Sequence, residues 1–248
     1  MPERLTIHTA IVDSPLALVE RMPSAGWYTR AMATAMQPAT ARTPRLPLES
    51  GDRLTRAEFE RRYACHPEIR RAELIEGVVY VASPVKIEGH AKPHGSIMAW
   101  LVSYGSNQDG VTWADNGTVR LDADNEPQPD ALLMWDPAHG GQAHIDEDDY
   151  VVGAPELAVE VSASSAAYDL HDKLRAYRRN GVREYVVWQV LEERIDWFRL
   201  HEGEYLRVEP DRRGVVESSC FPGLRLNVPA MLKGDMSAVL RELGRTAK

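Results

Sequence analysis

The sequence predicts an α/β fold, a mixed β-sheet flanked by helices, in one domain over residues 52–248. Three observations carry this. Residues 155–188, PELAVEVSASSAAYDLHDKLRAYRRNGVREYVVW, parse as strand, turn, helix and strand, the pattern of a right-handed β-α-β crossover. Beyond Trp188, short β-rich runs alternate with turn residues, as antiparallel strands do. Composition is that of an ordinary globular protein, 44% apolar and 27% charged, with enough chain for one large domain or one domain plus an extension.

Taken in order, residues 1–51 read as an N-terminal extension. They hold Pro38, Pro44 and Pro47 and an Ala- and Thr-rich run over 31–43. No sustained period emerges beyond a short helix around 16–22, so order there is expected only on docking to a partner. Glu3, Asp13 and Glu20 argue against an acid-poor transit peptide. The folded region opens at Asp52 or Thr55, where Thr55 and Glu58 have capping-box spacing before a helix through Phe59 and Tyr63. Residues 71–81, RAELIEGVVYV, predict a hairpin turning at Glu76-Gly77, and Ser83-Pro84 ends it. Ile97, Trp100, Leu101 and Tyr104 then repeat at helical spacing, in a helix opened by His94.

Strands follow at 111–113, 118–121 and 131–135, the last entered through Gln128-Pro129-Asp130, where proline's missing donor costs least. Residues 136–149 form a polar loop with His139, His144 and four consecutive acids from Asp146 to Asp149. A solvated acidic loop is the commoner reading of that run than a metal site. In the crossover, Gly181 stands where a helix stops, after a last turn bearing Arg178 and Arg179. Strands at 194–200, 205–209, 215–220 and 224–228 complete the pattern, with a turn at Glu202-Gly203. Asp235 caps a closing helix with Met236, Val239, Leu240 and Leu243.

Bulk properties exclude some functions. No apolar run approaches the roughly 20 residues that span a bilayer, and no secretion signal is present, so no membrane association is expected. Cys65 and Cys220, far apart, make neither a disulfide framework nor a zinc site, and a cytoplasmic protein with reduced thiols is the expectation. Net charge is −8. The first fifty residues hold five Arg and four acids, leaving 24 basic against 33 acidic residues in the rest. That balance argues against a non-specific nucleic-acid coat protein. It leaves room for an enzyme with a local basic groove and a metal at an acidic centre. There is no HExxH, P-loop, GxGxxG or GxSxG.

Glu160 breaks the apolar scheme of its strand. Alternation puts Leu157, Val159 and Val161 on one face and Glu156, Ala158 and Glu160 on the other. Either Glu160 faces solvent from an edge strand, or it is buried and needs a partner, a proton or a cation, since uncompensated burial costs roughly several kcal/mol. Asp130 at the start of another strand and Lys173 on the crossover helix stand out with it. If the strands are neighbours, the two acids project from one sheet edge and Lys173 approaches them from the helix. Paired carboxylates suit Mg²⁺, which polarises a phosphodiester, and an ammonium stabilises the developing charge. The bland readings are an i,i+4 ion pair for Asp169 and Lys173, dipole-matched arginines for Arg175, Arg178 and Arg179, and core positions for Tyr177 and Tyr185. His171-Asp172 suggests a phosphohydrolase dyad whose further ligands are missing.

QPDALLMW, then PELAVEVSASS, then Asp169, Lys173 and Tyr177 at four-residue spacing, then GVREYVVW, together resemble the putative restriction endonuclease family of the PD-(D/E)xK nuclease superfamily. ELIEGVVYVASP and His94 resemble that family's N-terminal half, so the likeness runs from about Leu54 to Tyr205. It implies a restriction-endonuclease-like mixed sheet flanked by helices, and a Mg²⁺-dependent (or Mn²⁺-dependent) endonuclease acting on nucleic acid, DNA first, as a homodimer. Asp130 and Glu160 match the two acids of the motif and become metal ligands. The motif's simple form puts lysine at position 162, where Ser162 stands; the family's displaced lysine matches Lys173. Glu73 and Glu76 match acidic positions of the opening hairpin and, with His94, are the accessory candidates. The rival expectation, prompted by Ser162 and the acidic charge, is a non-catalytic binding or assembly module on the same fold.

Overall fold

The computed structural model describes residues 46–163 and 168–244. The short helix read near residues 16–22, and all of the extension before residue 46, lie outside the described residues.

Helix α1 (Arg56–Tyr63) packs Phe59 against a hairpin of β1 (Ala72–Ile75) and β2 (Val78–Val81). Glu76 and Gly77 both take positive φ, 53° and 73°, as a two-residue hairpin turn of matching twist requires. Thr55 occupies the N-cap of α1, but its side chain makes no capping bond. The expected capping box does not form because Glu58 is drawn to Arg61 and Arg62, at 2.7 and 2.6 Å. A π-helical turn, Ile87–Ala91, then leads into α2 (Lys92–Gly105), so the helix opens before His94.

Strands β3 (Val111–Asp115), β4 (Val119–Arg120), β5 (Ala131–Trp135), β6 (His144–Ile145), β7 (Val151–Val152) and β8 (Leu157–Ser162) follow. A second π-helical turn, Asp169–Lys173, leads into α3 (Leu174–Asn180), which stops at Gly181 with φ 85°. Then come β9 (Glu184–Gln189), β10 (Arg194–His201), β11 (Glu204–Arg207), β12 (Val215–Glu217) and β13 (Arg225–Asn227). Two short helices close the described chain, α4 (Val228–Leu232), which the sequence reading missed, and α5 (Met236–Leu240). Asn227 and Asp235 cap them, each accepting a backbone N–H at 3.0 Å.

The central sheet has six strands in the order β11-β10-β9-β8-β5-β3. Only β8 and β9 pair in parallel, through the α3 crossover; the other neighbours are antiparallel. The fold is therefore α/β with a mixed sheet flanked by helices. The predicted alternation holds. Leu157, Val159 and Val161 join Ile97, Trp100 and Leu101 of α2 and Met231 and Val239 of the closing helices in one core. Ala158 lies on the opposite face with Tyr177 of α3, Tyr185 and Val187. The strand read over 215–220 stops at Glu217, because Ser218 and Ser219 turn to satisfy the fully buried Glu184 carboxylate.

Candidate active site

Strand β8 is interior and buried along its whole length, so Glu160 does not face solvent from an edge; it is 2% exposed. Ala131 of β5 lies opposite Val159 of β8. The next opposed pair in that antiparallel register is Asp130 and Glu160, and opposed residues project from the same face. The register thus directs both acids to the end of the ladder, where Asp130 reaches the N–H of Val161, the neighbour of Glu160, and Glu160 reaches the crossover helix.

Each carboxylate is held by different elements. Asp130 Oδ2 accepts the Val161 N–H at 2.7 Å, and Oδ1 accepts Arg71 Nη1 at 3.1 Å, with His90 Nε2 at 3.5 Å. Glu160 Oε1 accepts Lys173 Nζ at 2.9 Å and the Tyr177 hydroxyl at 3.1 Å. Lys173 and Tyr177 are four residues apart, and that spacing presents both to one point of the sheet. Lys173 Nζ also lies 2.9 Å from Glu73 Oε1 and 3.8 Å from Asp169 Oδ1. Glu73 Oε1 in turn accepts the Gln128 N–H at 2.7 Å, and Asp169 is bonded by the Ser162 hydroxyl. Both π-helical turns deliver residues here, His90 from one and Asp169 and Lys173 from the other, as such turns often do at functional sites.

Four carboxylates, Glu73, Asp130, Glu160 and Asp169, are buried around one buried ammonium and one guanidinium. Burial, then repulsion from Asp130, Asp169 and Glu73, raises the Glu160 pKa well above the ordinary carboxylate range, and Lys173 only partly offsets this. For Lys173 burial works against the charge, but Glu160, Glu73, Asp169 and Asp130 outweigh it and raise its pKa. The ammonium therefore stays protonated. Among the described residues, no three His, Cys, Asp or Glu groups are already drawn into one ligand set. Arg71 engages Asp130 Oδ1 and Lys173 engages Glu160 Oε1, so each of these acids already has a cationic partner.

Of the residues singled out from sequence, Asp130, Glu160, Lys173 and Glu73 come together. His94 lies beside them, its Nε2 2.8 Å from the Asp130 main-chain oxygen and 3.2 Å from Asp115. Glu76 does not join; it sits in the hairpin turn and pairs with Arg179 at 3.0 Å. Arg175, Arg178 and Arg179 are all engaged by acids, Asp172, Glu204, and Glu76 with Asp122. Arg71, His90, Asp169 and the hydroxyl of Tyr177 were not foreseen as part of this cluster.

Comparison with known proteins bears on the family and the fold. A family model, Uma2, described as putative restriction endonuclease, matches residues 56–229. No curated protein matches the chain. Among solved structures, a putative nuclease belonging to DUF820 from Anabaena variabilis ATCC 29413 superposes with a TM-score of 0.51 at 16% identity, covering 65% of this chain and 89% of that one. At that identity the likeness is one of fold.

Proposed function

The chain belongs to the Uma2 family, the putative restriction endonucleases, and from that premise we propose that it is a Mg²⁺-dependent endonuclease that hydrolyses phosphodiester bonds of DNA. The observation that carries the reading is that Asp130 and Glu160 each stand one residue beyond the opposed pair Ala131 and Val159, with Lys173 Nζ 2.9 Å from Glu160.

The donor set fits a hard divalent cation. All four acids offer oxygen ligands, and with all of them ionised the cluster is two positive charges short, Arg71 and Lys173 supplying the rest. Mg²⁺ needs only one or two protein carboxylates and keeps the remainder of its shell for water and phosphate oxygens. Asp130 and Glu160 would hold it; bound there, it polarises the phosphodiester and activates water. The chain's own groups do the rest. Tyr177 and the Val161 N–H fix the two carboxylates. Lys173, kept protonated by its carboxylates, serves as a donor that orients water and offsets phosphate charge. It is in the wrong protonation state to act as a base. The role of a lysine at position 162 is thus supplied from the helix, which favours the catalytic reading over a non-catalytic module.

Cutting both strands calls for two such centres, so a homodimer belongs to the proposal. No described helix is long and apolar enough to cross a membrane. The test is cleavage of supercoiled and linear DNA in Mg²⁺ by the parent, Asp130→Ala and Glu160→Gln, with an RNA substrate alongside. The variants should lose cleavage by about a hundredfold or more while keeping the parent's circular dichroism. Cleavage by Asp130→Ala at the parent's rate overturns the assignment.

A further inference from the structure

Arg71 stands one residue before β1 and sends its guanidinium into the carboxylate cluster. Nη1 donates to Asp130 Oδ1 at 3.1 Å, and Nη2 donates to the Gln128 carbonyl oxygen. Its side chain is 23% exposed, whereas that of Asp130 is 3% exposed, so Arg71 links the buried acids to the protein surface. Asp130 Oδ2 is engaged by the Val161 N–H at 2.7 Å, a main-chain bond within the sheet that the fold maintains. Oδ1 is therefore the oxygen that Asp130 can offer to a second cation, and Arg71 is already on it.

A guanidinium and a divalent cation repel each other at one oxygen, so occupancy by one disfavours the other. Displaced from Asp130, Arg71 still has its bond to Gln128 and still links the cluster to the protein surface, from which a phosphodiester must approach. Its planar fork matches phosphate oxygens as it matches a carboxylate. We infer that Arg71 is a substrate-contacting residue held in reserve: it occupies Asp130 Oδ1 until the divalent cation arrives and then transfers to the phosphate being cut. This rests on Asp130 being a metal ligand, as proposed above. A merely structural Arg71 would instead keep Asp130 in position, and its loss would weaken metal binding.

The experiment is calorimetric titration of Mn²⁺ into the parent, Arg71→Gln, Arg71→Lys and Asp130→Asn, with steady-state DNA cleavage on the same proteins. Arg71→Gln should bind Mn²⁺ about three- to tenfold more tightly, because no competing state must be displaced. Its KM for DNA should rise about tenfold, and the salt dependence of its kcat/KM should lose about one phosphate contact. Arg71→Lys should keep the parent's Mn²⁺ affinity yet show the KM defect, since an ammonium lacks the fork. Mn²⁺ affinity unchanged or weakened in Arg71→Gln, or a parent-like KM and salt slope, overturns the inference. Parent-like Mn²⁺ binding by Asp130→Asn is a separate result: it removes Asp130 as a ligand and overturns the nuclease assignment itself.

Discussion

The Lys173 ammonium lies 2.9 Å from the Glu73 carboxylate and so ties the crossover helix to the opening hairpin. Because Lys173 also serves Glu160 at 2.9 Å, it is the counter-charge of two elements at once. Lys173→Met should therefore destabilise the protein by about 3–5 kcal/mol, the cost of leaving buried charge unmatched, read from urea unfolding without added metal. Adding Glu160→Gln to it should restore part of the loss, a coupling of about 0.5–3 kcal/mol. An unchanged urea midpoint in Lys173→Met would mean that the carboxylates are relieved some other way.

Tyr177 is fully buried, and its hydroxyl reaches Glu160 at 3.1 Å. Tyr177→Phe keeps the ring packing and removes only this bond. The expected loss is about 1–3 kcal/mol of stability, with cleavage slowed about tenfold as the carboxylate loses its fixed position. Measuring both on one preparation separates positioning from folding.

Away from the cluster, Glu126 is 4% exposed, and burial first, then Glu60, pushes its pKa from 4.5 up to about 8. The folded protein thus holds this proton more tightly than the unfolded chain does. The resulting stability is fully present below pH 4.5 and is lost as pH rises through about 8. Glu126→Gln, neutral at every pH, should flatten the fall in melting temperature between pH 5 and 9 and exceed the parent at the alkaline end. Parallel curves for the two proteins would contradict this.

Gly181 ends α3 at φ 85°, and beyond its own chain neighbours nothing lies within 4 Å of where a Cβ would stand. The cost of Gly181→Ala is consequently backbone strain alone, about 1–2 kcal/mol. Urea unfolding should show that loss with an unchanged m-value.

Much of the frame was legible because it obeys local rules. The crossover, the turn at Glu76-Gly77 and the cap at Asp235 all have short-range signals, and each stands where the sequence put it. The cluster was only half legible. Asp169 and Lys173 read as an ordinary i,i+4 pair, yet they are 3.8 Å apart while Glu73 and Glu160 lie closer to the ammonium. Arg71 and His90 take their meaning from Asp130, far along the chain, and no local pattern announces that. Glu73 and Glu76 were separable in principle. The predicted turn already assigned Glu76 to the hairpin tip and left Glu73 inside the strand, opposite in parity to the core residue Leu74.

The widened turn at Asp169–Lys173 makes the cluster depend on a residue count as well as on residue types. Removing one residue there, such as the exposed His171, would let that stretch wind regularly with Asp169, Lys173 and Tyr177 all kept. Yet each later position would rotate by about 100°, swinging Lys173 and Tyr177 off Glu160 together. Such a deletion would silence the protein while sparing every amino acid that matters to its chemistry, an injury to phase alone.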